Sequence, residues 1–553
     1  MGKVFEKFYI EERDNSGEIV SIDFNYEDNF NFAYDILDEI ALSSPQKIAL
    51  SYVGCDELRL DFTFGDIMRL SIKMAGMFCD DGIGCGDAVM LLMKRRYEYW
   101  IAMMALSRIG AVAIPTSHMV TEHDIADRLA RSHAKAVICV NDDYVCGCVE
   151  KGIGDTEVIK YIVGSPRDGY IFASKRMELY SDTMERMETR ATDPMIYYFT
   201  SGSSGIPKCV IHSYTYPLAH IMTAANWHGA EDSHIHLSVA DSGWAKSSWG
   251  KMYGQWAIEA TVLVYDYERF YAGEMLRLIA NMRVTSFCAP PTIYKYLIRE
   301  RIKDYDLSCL KQVTSAGEHL PVAVSEQFRK MTGLTIREGF GQTETPLQVC
   351  TQVGCKQVEG SIGKVSPMLR IRLLDDNLNE VSVGETGEIC ILPNEDGSIP
   401  IGVFTGYLGD NVNYAKAWKG GVYHTHDRAY MDEEGYLYYV GRDDDVIKSS
   451  GYRIGPSEVE DILMKHPAVK ECAVTGYPSG TRGELVKATI ILEPGYEKCH
   501  ELLRELQEYV KSNTALYKYP RMIEFVDDMP RTSTGKILRR AIRERDIQSL
   551  SES

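Results

Sequence analysis

The segment Thr200-Ser201-Gly202-Ser203-Ser204-Gly205-Ile206-Pro207-Lys208 crowds hydroxyls, glycines and one lysine behind the apolar run Ile196-Tyr197-Tyr198-Phe199. Those residue types suit an anion cradle. Glycines let backbone N–H groups converge on a phosphate, while hydroxyls and an ammonium add further donors. The glycines do not give G-x-x-x-x-G-K, so this is not a Walker loop. By composition alone, a flexible Ser/Gly surface loop accounts for the segment equally well. Lys536, far downstream, is by itself an ordinary solvated charge. The cysteines show no paired metal spacing: Cys146 and Cys148 make only a lone C-x-C, so reduced, often buried thiols are expected.

The elements that must carry the loop alternate between helix and strand. Ile67, Leu70, Met74, Met77 and Phe78 recur at helical spacing, then Ala88 to Met93 is a continuous apolar run that reads as a buried strand. A helix over Tyr97 to Ser107 and strands at Ala111 to Ile114 and Ala134 to Val140 follow. This β-α-β order predicts parallel sheets covered by helices, an α/β class. Near Gly360 the pattern turns β-rich, with Leu369 to Leu374 alternating and Glu388 to Leu392 apolar after a Gly-Glu-Thr-Gly turn. The polar run Arg442-Asp443-Asp444-Asp445 reads as a linker. Beyond it, Ser457 and Glu460 suggest a capping box opening a helix to about Lys465. Strands near 469–475 and 487–492 and an amphipathic helix carrying Leu502, Leu503, Leu506, Tyr509 and Val510 complete an α+β unit. The expected division is 1–440, with a β-rich part at about 360–440, a hinge at 441–447 and a C-terminal domain at 448–553.

A chain of 553 residues is too long for one ordinary core, and 45% hydrophobic with 25% charged residues is globular composition. A net charge of −19 argues against wholesale nucleic-acid binding without forbidding a local anion site. Met1 to Asp14 is charged and the longest apolar stretch is interrupted by Arg108, so a cytoplasmic protein without membrane insertion is expected.

The loop Thr200 to Lys208 resembles the phosphate loop of the adenylate-forming superfamily of acyl-CoA synthetases, luciferases and peptide-synthetase adenylation domains. Further segments match in order: Ser315-Ala316-Gly317-Glu318, Glu338-Gly339-Phe340-Gly341-Gln342-Thr343-Glu344, Tyr423-His424-Thr425-His426-Asp427, Gly441-Arg442-Asp443-Asp444 with Ser450-Gly451-Tyr452-Arg453, and Thr534-Gly535-Lys536. The likeness runs from about residue 30 to 540. It implies a large N-terminal domain with a small mobile α+β lid, and ATP, Mg²⁺ and coenzyme A as ligands.

By that resemblance Lys208 and the amides of Ser201, Gly202, Ser203, Ser204 and Gly205, with Thr200, hold the β- and γ-phosphates. Gly317 and Glu318 flank the adenine. The 338–344 segment holds adenine, α-phosphate (Thr343) and Mg²⁺ (Glu344), a hard cation that prefers oxygen. Asp427 accepts the ribose hydroxyls, and Arg442 and Arg453 contact ribose and phosphate. Lys536 bridges the substrate carboxylate and α-phosphate. The lid then swings about Asp444, so that Lys536 leaves and Ser450-Gly451-Tyr452 arrives, Gly451 leaving room for pantetheine and Arg482 meeting the phosphates of CoA. Acetyl-specific relatives carry tryptophan where this chain has Gly341, which points to medium-chain, branched or small aryl acids. Trp244 either lines that acyl pocket or is plain core. The ribose motif departs from the usual Thr-Gly-Asp, with His426 in place of the glycine.

The implied reaction is acid plus ATP to acyl-AMP and pyrophosphate, then transfer to CoA. A stand-alone adenylation module serving a carrier protein and a silent nucleotide-binding protein are the alternatives; the chain could be a monomer or a homodimer.

Overall fold

The computed structural model describes residues 2–15, 17–56, 58–200, 207–449, 452–479, 483–532 and 536–551, with backbone alone at 452, 453 and 551. Among them, two large sheets dominate. The first has eight strands, in the order Gly406–Tyr407, Lys208–Ser213, Pro194–Thr200, Val112–Pro115, Ala88–Leu92, Ala136–Val140, Ile159–Val163 and Ile171–Phe172. It is parallel from Pro194–Thr200 onward, and only the strand Lys208–Ser213 runs against the others, pairing antiparallel on both sides. The second has nine strands whose parallel centre includes Gln312–Ala316 beside Arg337–Gly341. The helix Glu98–Arg108, buried at every position, lies within the core that the first sheet shares with the helix Phe64–Asp80. A helix apolar on all sides has no solvent face and must lie inside.

The carboxyl ends of three strands meet. Pro194–Thr200 runs into the glycine-hydroxyl loop, Gln312–Ala316 delivers Gly317-Glu318, and Arg337–Gly341 delivers Gln342-Thr343-Glu344. Ligands in open α/β sheets bind outside such ends, where connections diverge and backbone groups are left unpaired.

A four-stranded antiparallel sheet has the order Ile371–Leu374, Gly387–Ile391, Tyr423–Met431 and Leu437–Arg442. The C-terminal unit is a five-stranded sheet with the helices Pro456–Leu463, His500–Asn513 and Arg539–Ser551. The face of the second helix buries Leu502, Leu506 and Val510.

Two local expectations fail. The Ser457/Glu460 capping box does not form. The helix starts two residues earlier, with Gly455 as its N-cap and Pro456, whose missing N–H suits the first turn, as its first residue, so Ser457 is buried inside it. The Glu460 carboxylate instead takes the Val474 N–H at 2.8 Å and the Arg539 guanidinium at 2.7 Å. The run Arg442 to Asp445 is not a free linker either. Arg442 ends a strand and reaches Asp427 at 3.5 Å, and Asp443 is gripped by the Arg428 guanidinium.

Candidate active site

The three strand ends open into a cavity of about 450 Å³. Thr200, Trp244, Gly317, Glu318, Gly341, Gln342, Thr343 and Lys536 all line it. Lys536 belongs to the C-terminal unit, so both units build one cavity. Protein crowds this lysine while one side stays open to solvent, and the loss of hydration presses its pKa below the usual lysine value. Glu318, held at 2.8 Å by the Thr292 hydroxyl, opposes that shift, whereas Lys246 and Arg442 add to it.

Asp427 is buried at the centre of a polar net. Gln342 Nε2 and the Tyr439 hydroxyl (2.8 Å) donate to its two oxygens, and Gln342 Oε1 accepts from the Tyr423 hydroxyl at 2.8 Å. Burial raises the Asp427 pKa, with Arg442 working against the rise. Glu344 Oε1 accepts the Tyr407 hydroxyl at 3.0 Å, and the ammonium of Lys208 stands 4.8 Å over the Tyr407 ring. Tyr407 therefore joins the lysine and the carboxylate into one group. His212, buried and driven down to about 4 by desolvation, is neutral and donates Nε2–H to the Thr343 carbonyl at 2.7 Å. The Arg131 guanidinium fixes the loop's far end through the Pro207 carbonyl at 2.7 Å.

Trp244 is a wall of the cavity and not core, being only partly buried. Trp249, His220, Thr223, Pro346 and Leu347 line the same cavity. A Cβ on Gly341 would lie 2.7 Å from the Pro346 carbonyl oxygen. Glycine there is thus demanded by a close backbone approach, and tryptophan could not simply plug the pocket. Gly339 is similar, since its Cβ would meet the Trp227 ring at 2.6 Å. Phe340 packs on Tyr439 at 5.6 Å. Glu338 is buried away from the main cavity and lines a second one of about 320 Å³ with His319; burial pushes its carboxyl up to about 7.

Ser201 to Gly205, Ser450, Gly451, Arg482, Thr534 and Gly535 lie outside the described residues, as do the side chains of Tyr452 and Arg453. Asp444 is exposed, its carboxylate 3.3 Å from Arg442 Nε and its carbonyl taken by Arg543. His426 sits at φ 58° within the strand Tyr423–Met431, in the left-handed region that glycine favours.

One contact across the units was not foreseen. His319 Nε2 meets Asp461 Oδ1 at 2.8 Å. Burial works against the imidazolium, but Asp461, with help from Glu338 and Glu460, lifts its pKa from 6.5 to about 9. The raised value means that the docked state holds the proton. The contact is therefore at full strength below about pH 6.5 and is lost as pH rises through about 9. Limited proteolysis within 441–447 should accelerate across that window, and Asp461→Asn should flatten the dependence. A flat wild-type profile would refute the clamp.

Residues 37–408 match the family described as AMP-binding enzyme, and residues 458–536 match the AMP-binding enzyme C-terminal domain. The chain is 37% identical over 535 residues to the mouse mitochondrial acyl-coenzyme A synthetase ACSM3, covering 94% of this chain and 90% of that one. It is also 37% identical over 528 residues to 4-hydroxybutyrate–CoA ligase 1 of Metallosphaera sedula, covering 94% and 91%. Among solved structures, the anthranilate CoA ligase AuaEII in complex with anthranoyl-AMP superposes with a TM-score of 0.86 at 26% identity, over 95% of this chain and 99% of that one. With the cavity, the strand ends and the C-terminal lysine in the matched segments, the chain belongs to the AMP-binding enzyme family.

Proposed function

We propose that this protein is an ATP-dependent acyl-CoA synthetase whose acid is medium-chain, branched or a small aryl acid and not acetate. The observation that carries the reading is Lys536 of the C-terminal unit standing in the same cavity as Thr200, Gln342 and Thr343, which Trp244 and Trp249 also line.

A carboxylate and a triphosphate repel each other, so bringing one oxygen to the α-phosphorus requires neutralisation and alignment of both. Lys208 and the loop it closes grip the β- and γ-phosphates. Thr343, fixed by His212, faces the α-phosphate, and Lys536 supplies positive charge between the two reactants. Asp427, held by Gln342 and Tyr439, receives the ribose. Glu344, a hard oxygen donor beside the phosphate-loop lysine, fits Mg²⁺, which neutralises phosphate charge when bound. Pyrophosphate leaves, and in the second step the CoA thiol replaces AMP on the acyl carbonyl. The exposed Asp444 serves as the pivot between the two steps.

The test is an acid panel from acetate to decanoate with benzoate. AMP and pyrophosphate should appear only with acid, and a thioester only with CoA. ADP as product, or AMP without acid, would overturn the reading. An adenylate that is made but never passed to free CoA would point to a carrier-protein acceptor.

Acid length is set by Trp249, whose ring is stacked 6.4 Å from His220 and 6.3 Å from His228, with the Lys246 ammonium 5.9 Å above it. Trp249→Ala should open that end of the pocket. Each additional buried CH₂ is worth about 0.8 kcal/mol, a factor of roughly 4. The kcat/KM of octanoate relative to butyrate should therefore rise by about 10-fold or more. An unchanged ratio would place the acyl chain elsewhere.

A further inference from the structure

The outer face of the β-rich sheet carries a cluster that the adenylation chemistry does not use. Glu388 and Cys390 alternate along the strand Gly387–Ile391, and His424 pairs across from Cys390 on Tyr423–Met431. Ligand atoms of these three residues lie within 4.8 Å of one another, and so do those of Glu388, His426 and Asp443. The two triads share one carboxylate, and they run from a buried floor, Cys390 and Glu388, to a half-open rim where His426 is 57% exposed.

We propose that Glu388, Cys390 and His424 bind one divalent transition-metal ion of the Zn²⁺ class, with the fourth position facing His426 and Asp443 at the rim. His424 Nδ1 lies 2.8 Å from Glu388 Oε2 and 3.9 Å from Cys390 Sγ. At ordinary zinc bond lengths, tetrahedral donors stand roughly 3.2–3.6 Å apart, so a small shift of each side chain closes the triad around an ion. The opposite ring nitrogen provides an independent observation. His424 Nε2–H donates to the Lys419 carbonyl at 3.0 Å, so Nδ1 is the nitrogen turned toward Glu388 and Cys390, and an ion there would replace the proton of its 2.8 Å hydrogen bond to Glu388 Oε2. An imidazole that ligates a metal is characteristically fixed in this way, its other N–H tied to a carbonyl that sets ring orientation and tautomer. The rim adds His426 Nδ1, 3.8 Å from Glu388 Oε1 and 3.8 Å from Asp443 Oδ2. A thiolate, an imidazole and a carboxylate select zinc-like ions over the oxygen-seeking Mg²⁺ of the nucleotide site.

Binding releases two protons to solvent, that of the Cys390 thiol and that of the His424 Nδ1–Glu388 hydrogen bond, while the proton on His424 Nε2 stays in place. No electron is transferred. The ion would staple the strands Gly387–Ile391 and Tyr423–Met431 beside Asp427 and Asp443, and the proposal stands whether or not the acyl-CoA reading does.

Co²⁺ is the probe. The full chain, stripped with chelator, should take up one Co²⁺ with a thiolate-to-metal charge-transfer band that Zn²⁺ abolishes. Cys390→Ser should lose the band, and Glu388→Gln should weaken Co²⁺ binding by at least about 10-fold. His426→Gly, which relaxes the left-handed backbone, should keep the band. No band at saturating Co²⁺, or a band that survives Cys390→Ser and so belongs to another cysteine, would overturn the proposal. Should Cys390→Ser fail to fold, loss or survival of Zn²⁺-dependent thermal stabilisation in Glu388→Gln decides the matter, with survival counting against it.

Discussion

Replacing Lys536 by alanine is expected to lower acyl-adenylate formation by about 10²- to 10³-fold, the cost of losing one preorganised charge at a reacting centre. Thioester formation from supplied acyl-adenylate should stay within about twofold of the parent. The asymmetry follows from position. Lys536 is the cation that the C-terminal unit brings into a cavity otherwise built by strand ends of the large domain. Desolvation depresses its pKa, with Lys246 and Arg442 adding to the shift and Glu318 and Asp427 opposing it, so anions that arrive beside the ammonium offset what the loss of hydration costs it. Two anions arrive in the first step, the carboxylate and the triphosphate, and the acyl-adenylate of the second step has lost the pyrophosphate. Folding is not at stake: the side chain is exposed on the cavity wall and takes no part in the C-terminal core. Pyrophosphate release under single-turnover conditions reads the first step and thioester appearance reads the second. Equal losses in both would remove the case for a lysine that acts in one arrangement of the units only.

What could be read from the chain beforehand divides along physical lines. Periodic elements were legible: the buried strand expected at 88–93 is Ala88–Leu92, and the helix expected from 66 to 78 lies within Phe64–Asp80. Burial on one face leaves a repeat in sequence, and repeats can be counted. The segments that resemblance singles out are contiguous strand-to-loop stretches, which keep their residues together in sequence. The supports of the site were not legible. Tyr407 serves Glu344 from 63 positions away, Tyr423 serves Gln342 from 81, and His212 holds Thr343 from 131. A lone tyrosine or histidine has no period, and its partner is fixed only once the sheets have formed. The failed capping box at Ser457 has the same origin. The local motif was present, but Arg539, 79 residues on, claimed Glu460 more strongly than the helix terminus could. Gly341 carries two signals at once: its lack of a side chain reflects the Pro346 carbonyl pressed against it as well as room for an acyl chain.

Glu344→Gln separates phosphate-charge neutralisation from the work of Lys536. The amide keeps the size and shape of the side chain and can still accept the Tyr407 hydroxyl bond, and the backbone is pinned because the Glu344 carbonyl accepts the Phe404 N–H at 2.8 Å. Only the charge is lost. Adenylation should fall by about 10²-fold, and the Mg²⁺ concentration for half-maximal rate should rise by about 10-fold or more, because a neutral amide is a poor partner for a hard dication. Lys536→Ala, by contrast, should leave the Mg²⁺ requirement where it is, since that lysine carries no oxygen donor. Tyr407→Phe gives the intermediate case: it removes one hydrogen bond worth about 1 kcal/mol and should cost roughly 5-fold in the same assay. The three Mg²⁺ titrations, read by pyrophosphate release, must therefore rank Glu344→Gln above Tyr407→Phe above Lys536→Ala in their shift of the midpoint. A Glu344→Gln variant that loses rate with an unshifted midpoint would show that this carboxylate orients the phosphate loop through Tyr407 and Lys208, and that the ion is held by other groups.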